Sequence, residues 1–592
     1  MLFCVLCLKI ISGGLGVEHC LKIQLVRKDS EENRMQVIKS KLNVRSDEYR
    51  SNREEMLNEL DFIATLHSEA AQGGGKEAME RLRSRNKLPL RQRIALVLDR
   101  DSPFFEVSPL AAYNSHVKTG SGFIVGIGVI ADTECVILGH DPSVRAGAFN
   151  AWNSKKLMRG IEIARTNRLP YVQFVESAGA DLRGRSGSDG GSRRAASGES
   201  ESPEKRIKTP AATSHFAESG RLFYEITELS QMRIPSVSVV FGASAAGGAY
   251  QPGMSDYNIF IKKQSKVFLG SPPLVKMATG EDANAEDLGG AEMHTQVSGL
   301  GDYLAEDEHD GIRMCREVIA HLNWRKWGPG PSLPSDPPVY DAEELLGIVN
   351  RDLTKPFDMR EVIARIVDGS RFEEFKPRYG STLVTGWASI DGYPIGIIGN
   401  NGPLMSEAAE KATQFIQLCN QIDTPLLFLH NITGYIVGTD FERGGITKNG
   451  SKMINAVANS TVPHFSVIPA ASYGAGNYGM SGRAYGTRFT FIWPTAKIAV
   501  MGPKQQAGVM TIVGRQSAER RGEVFDEEAD KKRVAAVEST LEEASLALLA
   551  TSAISDDGLI DPRDTRSHLS ISLSAVHNNK VEGAKGFGVW RM

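Results

Sequence analysis

Residues 234–249 read IPSVSVVFGASAAGGA, an apolar run that begins at a proline and ends in a cluster of small residues. An apolar, β-rich run of this length predicts a buried strand. The small residues directly after it predict a tight turn into a helix. Residues 462–476 read VPHFSVIPAASYGAG and follow the same order. The chain therefore contains this strand, turn and helix unit twice.

The segments that precede these two stretches also repeat. Each copy has an apolar run, then a stretch of helical period, then a second apolar run that begins just after a proline. The segments are residues 136–139, 155–168 and 171–177 in the first copy and 395–399, 406–421 and 426–429 in the second. Strand, helix and strand in this order predict an α/β fold, and two copies predict a duplicated domain.

The matched spacing singles out two pairs of small residues. Gly247 and Gly248 lie 12 and 13 residues after the proline of the first stretch, and Ala475 and Gly476 lie 12 and 13 after that of the second. At a helix start, N–H groups have no acceptor within the helix, and small side chains let a ligand approach. An oxyanion hole is built in this way. Close packing of a helix on a sheet also needs small residues, and that alternative stays open, although duplication favours a function.

One interval differs between the copies. Pro170 and Pro235 are 65 residues apart, whereas Pro425 and Pro463 are 38 apart. The excess of 27 equals the length of residues 187–213, which are rich in Gly, Ser and Pro and mixed in charge. Such a segment buries too little surface to offset its ordering entropy. We expect a disordered surface insertion there, in preference to a kinase site or a nucleic-acid patch.

Composition narrows the class of protein. Of 592 residues, 41% are hydrophobic and 23% charged, as in an ordinary globular protein. The net charge of −3 argues against binding to nucleic acid or to an anionic membrane through overall positive charge. Six cysteines are too few for a disulfide scaffold, and no second CxxC follows Cys4-x-x-Cys7. We therefore predict no metal site, and no run is long enough to span a membrane.

The organisation along the chain follows from these segments. We expect an ill-defined extension over residues 1–45, in which Met35 is a plausible alternative start. The other predicted units are an N-terminal domain over 46–325 that opens with helices across 47–100, a linker with five prolines over 326–341, and a C-terminal domain over 342–592. Near the end we predict one helix over 527–552 and a last helix after the turn at 561–564.

Several longer motifs resemble one protein family. They are Asn400-Asn-Gly402, residues 426–434 (LLFLHNITG), 474–480 (GAGNYGM) and 270–280 (GSPPLVKMATG). Together they resemble the carboxyltransferase (beta) subunit of biotin-dependent acyl-CoA carboxylases, in particular the methylcrotonoyl-CoA and geranyl-CoA branch. The resemblance runs from about residue 45 to the C-terminus, outside the insertion. Where many relatives have Met-Gly-Gly-Glu-Gln, this chain has Met501-Gly-Pro-Lys-Gln505.

The resemblance implies a fold and a site. It implies two tandem crotonase-like domains (ClpP/crotonase superfamily) per chain, assembled as a ring, typically a hexamer, with each active site between two copies. Gly247 and Gly248 then stabilise the thioester oxyanion, and Ala475 and Gly476 stabilise the ureido oxygen of biotin. The residues implied to line the site are Ala178 and Gly179, near the coenzyme A ester, together with His430 and Tyr478. For the last two, a packing role is an equal alternative.

The resemblance also implies partners. Residues 274–277 (LVKM) lack the first Met of a biotin-attachment sequence, so Lys276 is not expected to carry biotin, and no phosphate-binding GK[ST] ending occurs. A partner (alpha) subunit must then supply the biotin carboxylase and the biotin carrier. The expected compartment is the cytoplasm in a bacterium or the mitochondrial matrix in a eukaryote, and not the exterior of the cell.

Transfer of a carboxyl group from carboxybiotin needs no protein nucleophile. The absence of an evident Ser-His-Asp set or an HExxH motif agrees with this chemistry. We predict a carboxyltransferase acting on methylcrotonoyl-CoA. The alternatives are geranyl-, propionyl- or acetyl-CoA as the substrate, a biotin-dependent acyl-CoA decarboxylase, and a non-catalytic ring protein that binds CoA esters.

Overall fold

The computed structural model describes residues 35–179, 220–353, 355–586 and 588–592. The predicted insertion at 187–213 and residues 1–34 of the predicted extension lie outside these residues. The chain opens with three helices, α1 (Asp47–Ala71), α2 (Lys76–Arg83) and α3 (Leu90–Val97). They confirm the helical lead-in expected over residues 47–100.

The first half is built on a mixed sheet, which has eight strands among the described residues. Its strands are β1 (Phe105–Glu106), β2 (Phe123–Ile130), β3 (Thr133–His140), β4 (Tyr171–Ser177), β5 (Ser236–Ala245), β6 (Tyr257–Ile261), β7 (Lys266–Phe268) and β8 (Tyr303–Ala305). The order is β1-β2-β3-β4-β5-β6-β8, and β7 pairs with the end of β5. The first two pairings are antiparallel, and all later ones are parallel.

Helices of the first half lie between and after these strands. They are α4 (Ala151–Asn167), α5 (Arg221–Gln231), α6 (Tyr250–Gly253), α7 (Pro272–Thr279), α8 (Ala285–Gly289), α9 (Ala291–Met293) and α10 (Glu308–His321). Asn150 caps α4 by accepting hydrogen bonds from the N–H groups of Trp152 and Asn153. Arg168 ends the helix in the left-handed region, at φ 55°. The chain then enters β4 through Pro170, as the sequence predicts.

The second half repeats this sheet with seven strands among the described residues, in the order β17-β15-β13-β12-β11-β10-β9. The strands are β9 (Glu373–Glu374), β10 (Leu383–Ile390), β11 (Tyr393–Asn400), β12 (Leu426–Leu429), β13 (His464–Ile468), β15 (Phe489–Ile492) and β17 (Gly558–Leu559). A separate parallel pair consists of β14 (Ala471–Tyr473) and β16 (Lys497–Ala499). This pair corresponds to the end of β5 with β7 in the first half.

Helices of the second half complete the fold. They are α11 (Met359–Ile363), α12 (Ser406–Gln421), α13 (Thr439–Arg443), α14 (Ile446–Asn459), α15 (Gly474–Gly479), α16 (Pro503–Arg521), α17 (Glu527–Ser545), α18 (Ala547–Ser552) and α19 (Thr565–Val576). The last helix is confirmed. The single helix expected over 527–552 is wrong, because Leu546 leaves the helical region at ψ 142°. There Leu546 bridges to Lys497 of β16, so a tertiary contact divides the helix.

Two buried lysines show how closely the halves match. Lys156 of α4 donates to the carbonyl of Phe123 at 2.7 Å, and Lys411 of α12 donates to that of Leu383 at 2.7 Å. Phe123 and Leu383 are the first residues of β2 and β10. Both amines are fully buried. The α/β class with two tandem units is confirmed, whereas the domain bounds at 46–325 and 342–592 stay predictions.

The two halves share one hydrophobic core. Phe105 of β1 packs edge-on against Phe489 and Phe491 of β15, with ring centroids 5.9 and 5.6 Å apart. Residues 326–341 have no helix or strand and pass from the first half to the second, as expected of the linker. Of the helices in the described ranges, none has the length and apolar character to cross a membrane.

Candidate active site

The two predicted pairs occupy equivalent places in the two halves. Gly247 and Gly248 lie in a short 3-10 helix, residues Ala246–Ala249, that begins where β5 ends. Ala475 and Gly476 lie in the first turn of α15, directly after β14. The residue before each pair has a left-handed backbone, with φ 53° at Ala246. Gly474, at the matched position, has φ 57°. The chain therefore makes the same turn into a helix in both halves.

The second residue of each pair is a glycine that packs closely against other side chains. A Cβ atom on Gly248 would lie 2.7 Å from Ser244 Oγ and 3.8 Å from Ser177 Cβ. One on Gly476 would lie 2.5 Å from Ile432 Cγ1. Ser177 and Ile432 are equivalent, because each lies seven residues after the proline that precedes its strand. Packing thus requires glycine at both second positions, as the alternative interpretation proposed.

The first residue of each pair is open to solvent. Gly247 and Ala475 are exposed, whereas Gly248 and Gly476 are buried. A Cβ on Gly247 would meet only Phe223 Cζ, at 3.7 Å, which is an ordinary contact. Packing therefore does not account for a small residue at this position. An exposed N–H at the first turn of a helix is available to a ligand.

The loop after the neighbouring strand also recurs beside each pair. Gly179 has φ 84°, and its carbonyl accepts a 2.9 Å hydrogen bond from Phe149 N–H. Gly434, at the matched position, has φ 130°, and its carbonyl accepts a 3.1 Å bond from Leu404 N–H. Ala178 is exposed next to Gly179. Gly434 was not among the predicted site residues, although its spacing from Pro425 is the same as that of Gly179 from Pro170.

His430 and Tyr478 have different surroundings. Tyr478 is 47% exposed on α15, two residues beyond Gly476. His430 is fully buried, and its Nδ1 lies 3.0 Å from Ser472 Oγ. Burial lowers the pKa of the His430 imidazole to about 3. The imidazole is therefore neutral at any physiological pH, and in this chain it lies beneath the helix and not at the surface.

The arrangement as a whole offers backbone donors and little else. Within the described residues, no cluster of three or more His, Cys, Asp or Glu could hold a metal ion. A cavity of about 430 Å³ is lined by residues of α1 together with residues 350–352, Lys355, Lys497 and Glu542, and none of the residues of the two pairs lines it. The groups suited to chemistry are the N–H groups at the two helix starts, which can stabilise a negative charge that develops on an oxygen atom. One such donor is worth about 3 kcal/mol of barrier.

Each half also has a helix with exposed apolar side chains. In the first half, Leu274 and Met277 of α7 are 47% and 80% exposed. In the second half, Ile512 and Val513 of α16 are 59% and 58% exposed. Both helices begin at a proline that follows the short strand paired near the glycine turn, β7 or β16. The two surfaces are therefore equivalent under the same internal repeat.

The chain, with its two tandem crotonase-like units, is of the carboxyltransferase class. It belongs to the carboxyl transferase domain family, which it matches over residues 81–200 and 205–589. It is 53% identical, over 91% of this chain and 96% of the other, to the probable biotin-dependent acyl-coenzyme A carboxylase beta2 subunit of Mycobacterium tuberculosis. These matches confirm the family and the reaction class predicted from the motifs.

Two further relatives bear on the branch of the family. The probable mitochondrial methylcrotonoyl-CoA carboxylase beta chain of Drosophila melanogaster is 44% identical, over 94% of this chain and 95% of its own length. The solved beta subunit of P. aeruginosa geranyl-CoA carboxylase is 40% identical, with a TM-score of 0.81 over 94% of this chain and all of that one. Both agree with the predicted branch.

Proposed function

We propose that this chain transfers a carboxyl group from carboxybiotin, carried by a partner subunit, to methylcrotonoyl-CoA. Relatives named methylcrotonoyl-CoA carboxylase beta chains, 40–44% identical over most of this chain, support this substrate. The geranyl-CoA enzyme, at 40% identity, supports geranyl-CoA as the second candidate. A methylmalonyl-CoA decarboxylase subunit is 29% identical, so the decarboxylase alternative has less support.

The observation that carries the proposal is the repeated turn into a helix. In each half a left-handed residue, Ala246 or Gly474, comes directly before the small-residue pair. One carboxyl transfer needs two oxyanions to be stabilised, the enolate of the thioester and the ureido oxygen of biotin. Two equivalent donor pairs on one chain match that need.

The first pair is assigned to the thioester. Gly247 is exposed beside the loop that contains Ala178 and Gly179. The thioester carbonyl oxygen accepts hydrogen bonds from the N–H groups of Gly247 and Gly248. These bonds stabilise the enolate that forms when the α or vinylogous γ proton leaves. Ala178 and Gly179 then border the coenzyme A ester.

The second pair is assigned to biotin, and the space around it fits a flat ureido ring. A Cβ on Gly434 would meet nothing within 4 Å, and Ala475 is exposed. Carboxybiotin supplies the carboxyl group and, once that group is released, a base for the proton. The N–H groups of Ala475 and Gly476 stabilise the ureido oxygen, and Tyr478 borders the ring from the same helix.

We further assign the exposed faces of α7 and α16 to contacts between copies of this chain. Each face exposes apolar side chains, such as Met277 on α7 and Ile512 on α16. Exposed apolar patches of this kind are typical of surfaces that bind another protein. Packing the first half of one copy on the second half of another brings a thioester pair and a biotin pair together. We expect such dimers to assemble into a ring that binds a biotin-bearing alpha subunit as its partner. The mitochondrial matrix is the expected compartment in a eukaryote and the cytoplasm in a bacterium.

The test is a substrate series. The chain is purified with its biotinylated partner and assayed with ATP, bicarbonate and methylcrotonoyl-, geranyl-, propionyl- or acetyl-CoA. The largest kcat/KM is expected with methylcrotonoyl-CoA, and transfer to none of the four would refute the proposal. The chain without its partner is expected to form no product, and a product in that reaction would refute the need for a separate biotin carrier.

A further inference from the structure

The two halves contain the same serine at the same position, but only one of them is bonded. Ser244 pairs with Ser177 across β5 and β4, and Ser472 bridges to Ile432 in the matched place. Both serines are fully buried. Among the described residues, Ser244 Oγ has no hydrogen-bond partner. Ser472 Oγ has two, so the second half contains a polar connection that the first half lacks.

The two partners of Ser472 come from different elements. His430 Nδ1 lies 3.0 Å from Ser472 Oγ, and Asn477 Nδ2 donates to the same oxygen at 2.7 Å. His430 directly follows β12, and Asn477 lies in α15 next to Gly476. The chain of bonds therefore runs from the end of one strand, through a second, into the helix that contains the donor pair.

The equivalent positions in the first half are apolar. His430 corresponds to Val175 and Asn477 to Ala249, both buried. Neither side chain can bond the serine between them. The difference is thus confined to the half that we assign to biotin. It lies in two side chains, those of His430 and Asn477, while the serine between them is the same in both halves.

The protonation state of His430 is fixed by its surroundings. Burial lowers the pKa of its imidazole to about 3, and a contact with the backbone of Met480 opposes this only partly. Met480 is the residue that ends α15. A neutral ring thus bonds to Ser472 through Nδ1, where it can orient that serine but cannot supply a proton.

We propose that His430 is a positioning residue for the biotin-side donor pair, and that it acts through Ser472 and Asn477 to hold the start of α15. The inference rests on the proposed function, since it concerns transfer to and from biotin. A shift of the helix start would misdirect the N–H groups of Ala475 and Gly476 without touching the thioester side.

Ser472→Ala is the decisive variant, because it removes one oxygen atom from a buried site and leaves no steric conflict. The reaction is the reverse half-reaction, in which free biotin accepts the carboxyl group of a carboxylated acyl-CoA. The expected result is a fall in kcat of roughly tenfold, since small misplacements of catalytic groups are costly. KM for the thioester should stay within about twofold of the wild type.

The matched control is Ser244→Ala, which removes the unbonded serine of the first half. It is expected to keep kcat and both KM values within about twofold. His430→Leu should resemble Ser472→Ala, and the double variant should be no worse than either single one, as expected for residues that act in one chain. His430→Asn, which keeps a polar group facing Ser472, should recover part of the loss.

Each other outcome overturns the inference in a distinct way. A folded Ser472→Ala protein with wild-type kcat would refute it, and so would equal losses in Ser472→Ala and Ser244→Ala. Additive losses in the double variant would mean that His430 does not act through Ser472. If the wild-type protein transfers no carboxyl group in either direction, the proposed function itself fails. If His430→Leu does not fold, Ser472→Ala with its control still decides.

Discussion

Arg159 of the first half and Asp557 of the second half form a buried two-point ion pair. Arg159 Nε lies 2.7 Å from Asp557 Oδ1, and Nη2 lies 2.9 Å from Oδ2. Asp557 also accepts a 2.9 Å bond from Thr490 N–H and pairs with Arg483. Burial raises the pKa of the Asp557 carboxyl, but the two guanidinium groups outweigh it and hold that pKa below its usual value. One carboxylate thus ties together α4, β15 and the segment that follows α15.

Asp557→Asn is expected to lower the free energy of unfolding by about 3–5 kcal/mol, because it removes the buried carboxylate that pairs with Arg159 and Arg483 and leaves Arg159 only the partly exposed Glu162 as a counter-charge. Chemical denaturation of the purified protein measures this. The control is Glu528→Gln, which breaks an exposed pair with Lys531 and should change stability by less than about 1 kcal/mol. Equal effects of the two substitutions would contradict a role for Asp557 between the halves.

The buried lysines give a pH prediction. Burial lowers the pKa of Lys156 to about 8, and the unfolded chain keeps its usual higher value. Between these two values the unfolded state binds more protons, so the contribution of Lys156 to stability rises as pH increases above about 8. As pH rises from 8 to 10, the free energy of unfolding should therefore increase less in Lys156→Met than in the wild type. The prediction would be wrong if the free energy of unfolding changed with pH by the same amount in both proteins across that range.

Removal of a donor at Ala475 tests the biotin side directly. Ala475 is exposed in the first turn of α15, where a proline is tolerated, and Ala475→Pro deletes its N–H. The rate of carboxyl transfer is expected to fall by roughly 10²–10³ if that N–H is a donor. Ala475→Ser keeps the N–H and should stay close to wild type. A folded Ala475→Pro protein with near-normal transfer would leave these residues with a packing role only.

The buried glycines should respond to size and the exposed ones should not. Gly476→Ala places a Cβ 2.5 Å from Ile432 Cγ1, so stability is expected to fall by about 1–3 kcal/mol. Gly247→Ala adds a Cβ that meets only Phe223, at 3.7 Å, and should be within about 0.5 kcal/mol of wild type. Thermal unfolding of both variants measures the contrast. A larger loss for Gly247→Ala would reverse the packing argument.

The exposed face of α16 gives a prediction about assembly. Ile512→Asp introduces a charge where we expect a second copy to pack, and it should yield smaller particles in size-exclusion chromatography with light scattering. Val524 is 98% exposed, just beyond the end of α16, so Val524→Asp is the control that should keep the wild-type mass. A wild-type protein that runs as a monomer would refute the assigned contact.

The sequence predicts most of the strand and helix order because the signals are local. Apolar runs that begin at Pro170, Pro235, Pro425 and Pro463 all become buried strands. Spacing alone also predicts that the two pairs of small residues lie at equivalent turns, as they do. The break at Leu546 was missed, because its cause is a bridge to Lys497, about fifty residues earlier in the chain.

Contacts between side chains that lie far apart in the sequence could not be predicted for the same reason. His430 stands in a recognisable motif, yet nothing near it in sequence indicates that Ser472 bonds its ring. The pairing of Arg159 with Asp557 joins residues 398 positions apart. Such contacts depend on how the halves pack, which local periodicity does not encode.

The lysine that the two halves share and the histidine that only one half has separate what the repeat holds in common from what is specific to one half. Lys156 and Lys411 make the same bond in both halves, so this contact belongs to the repeated framework. His430 and Asn477 correspond to Val175 and Ala249, so the polar connection around Ser472 belongs to the second half alone. The two halves are in effect two aligned sequences within one molecule. Each half is thus an internal reference for the other, and the positions at which they differ are the ones to test for a role that only one half has.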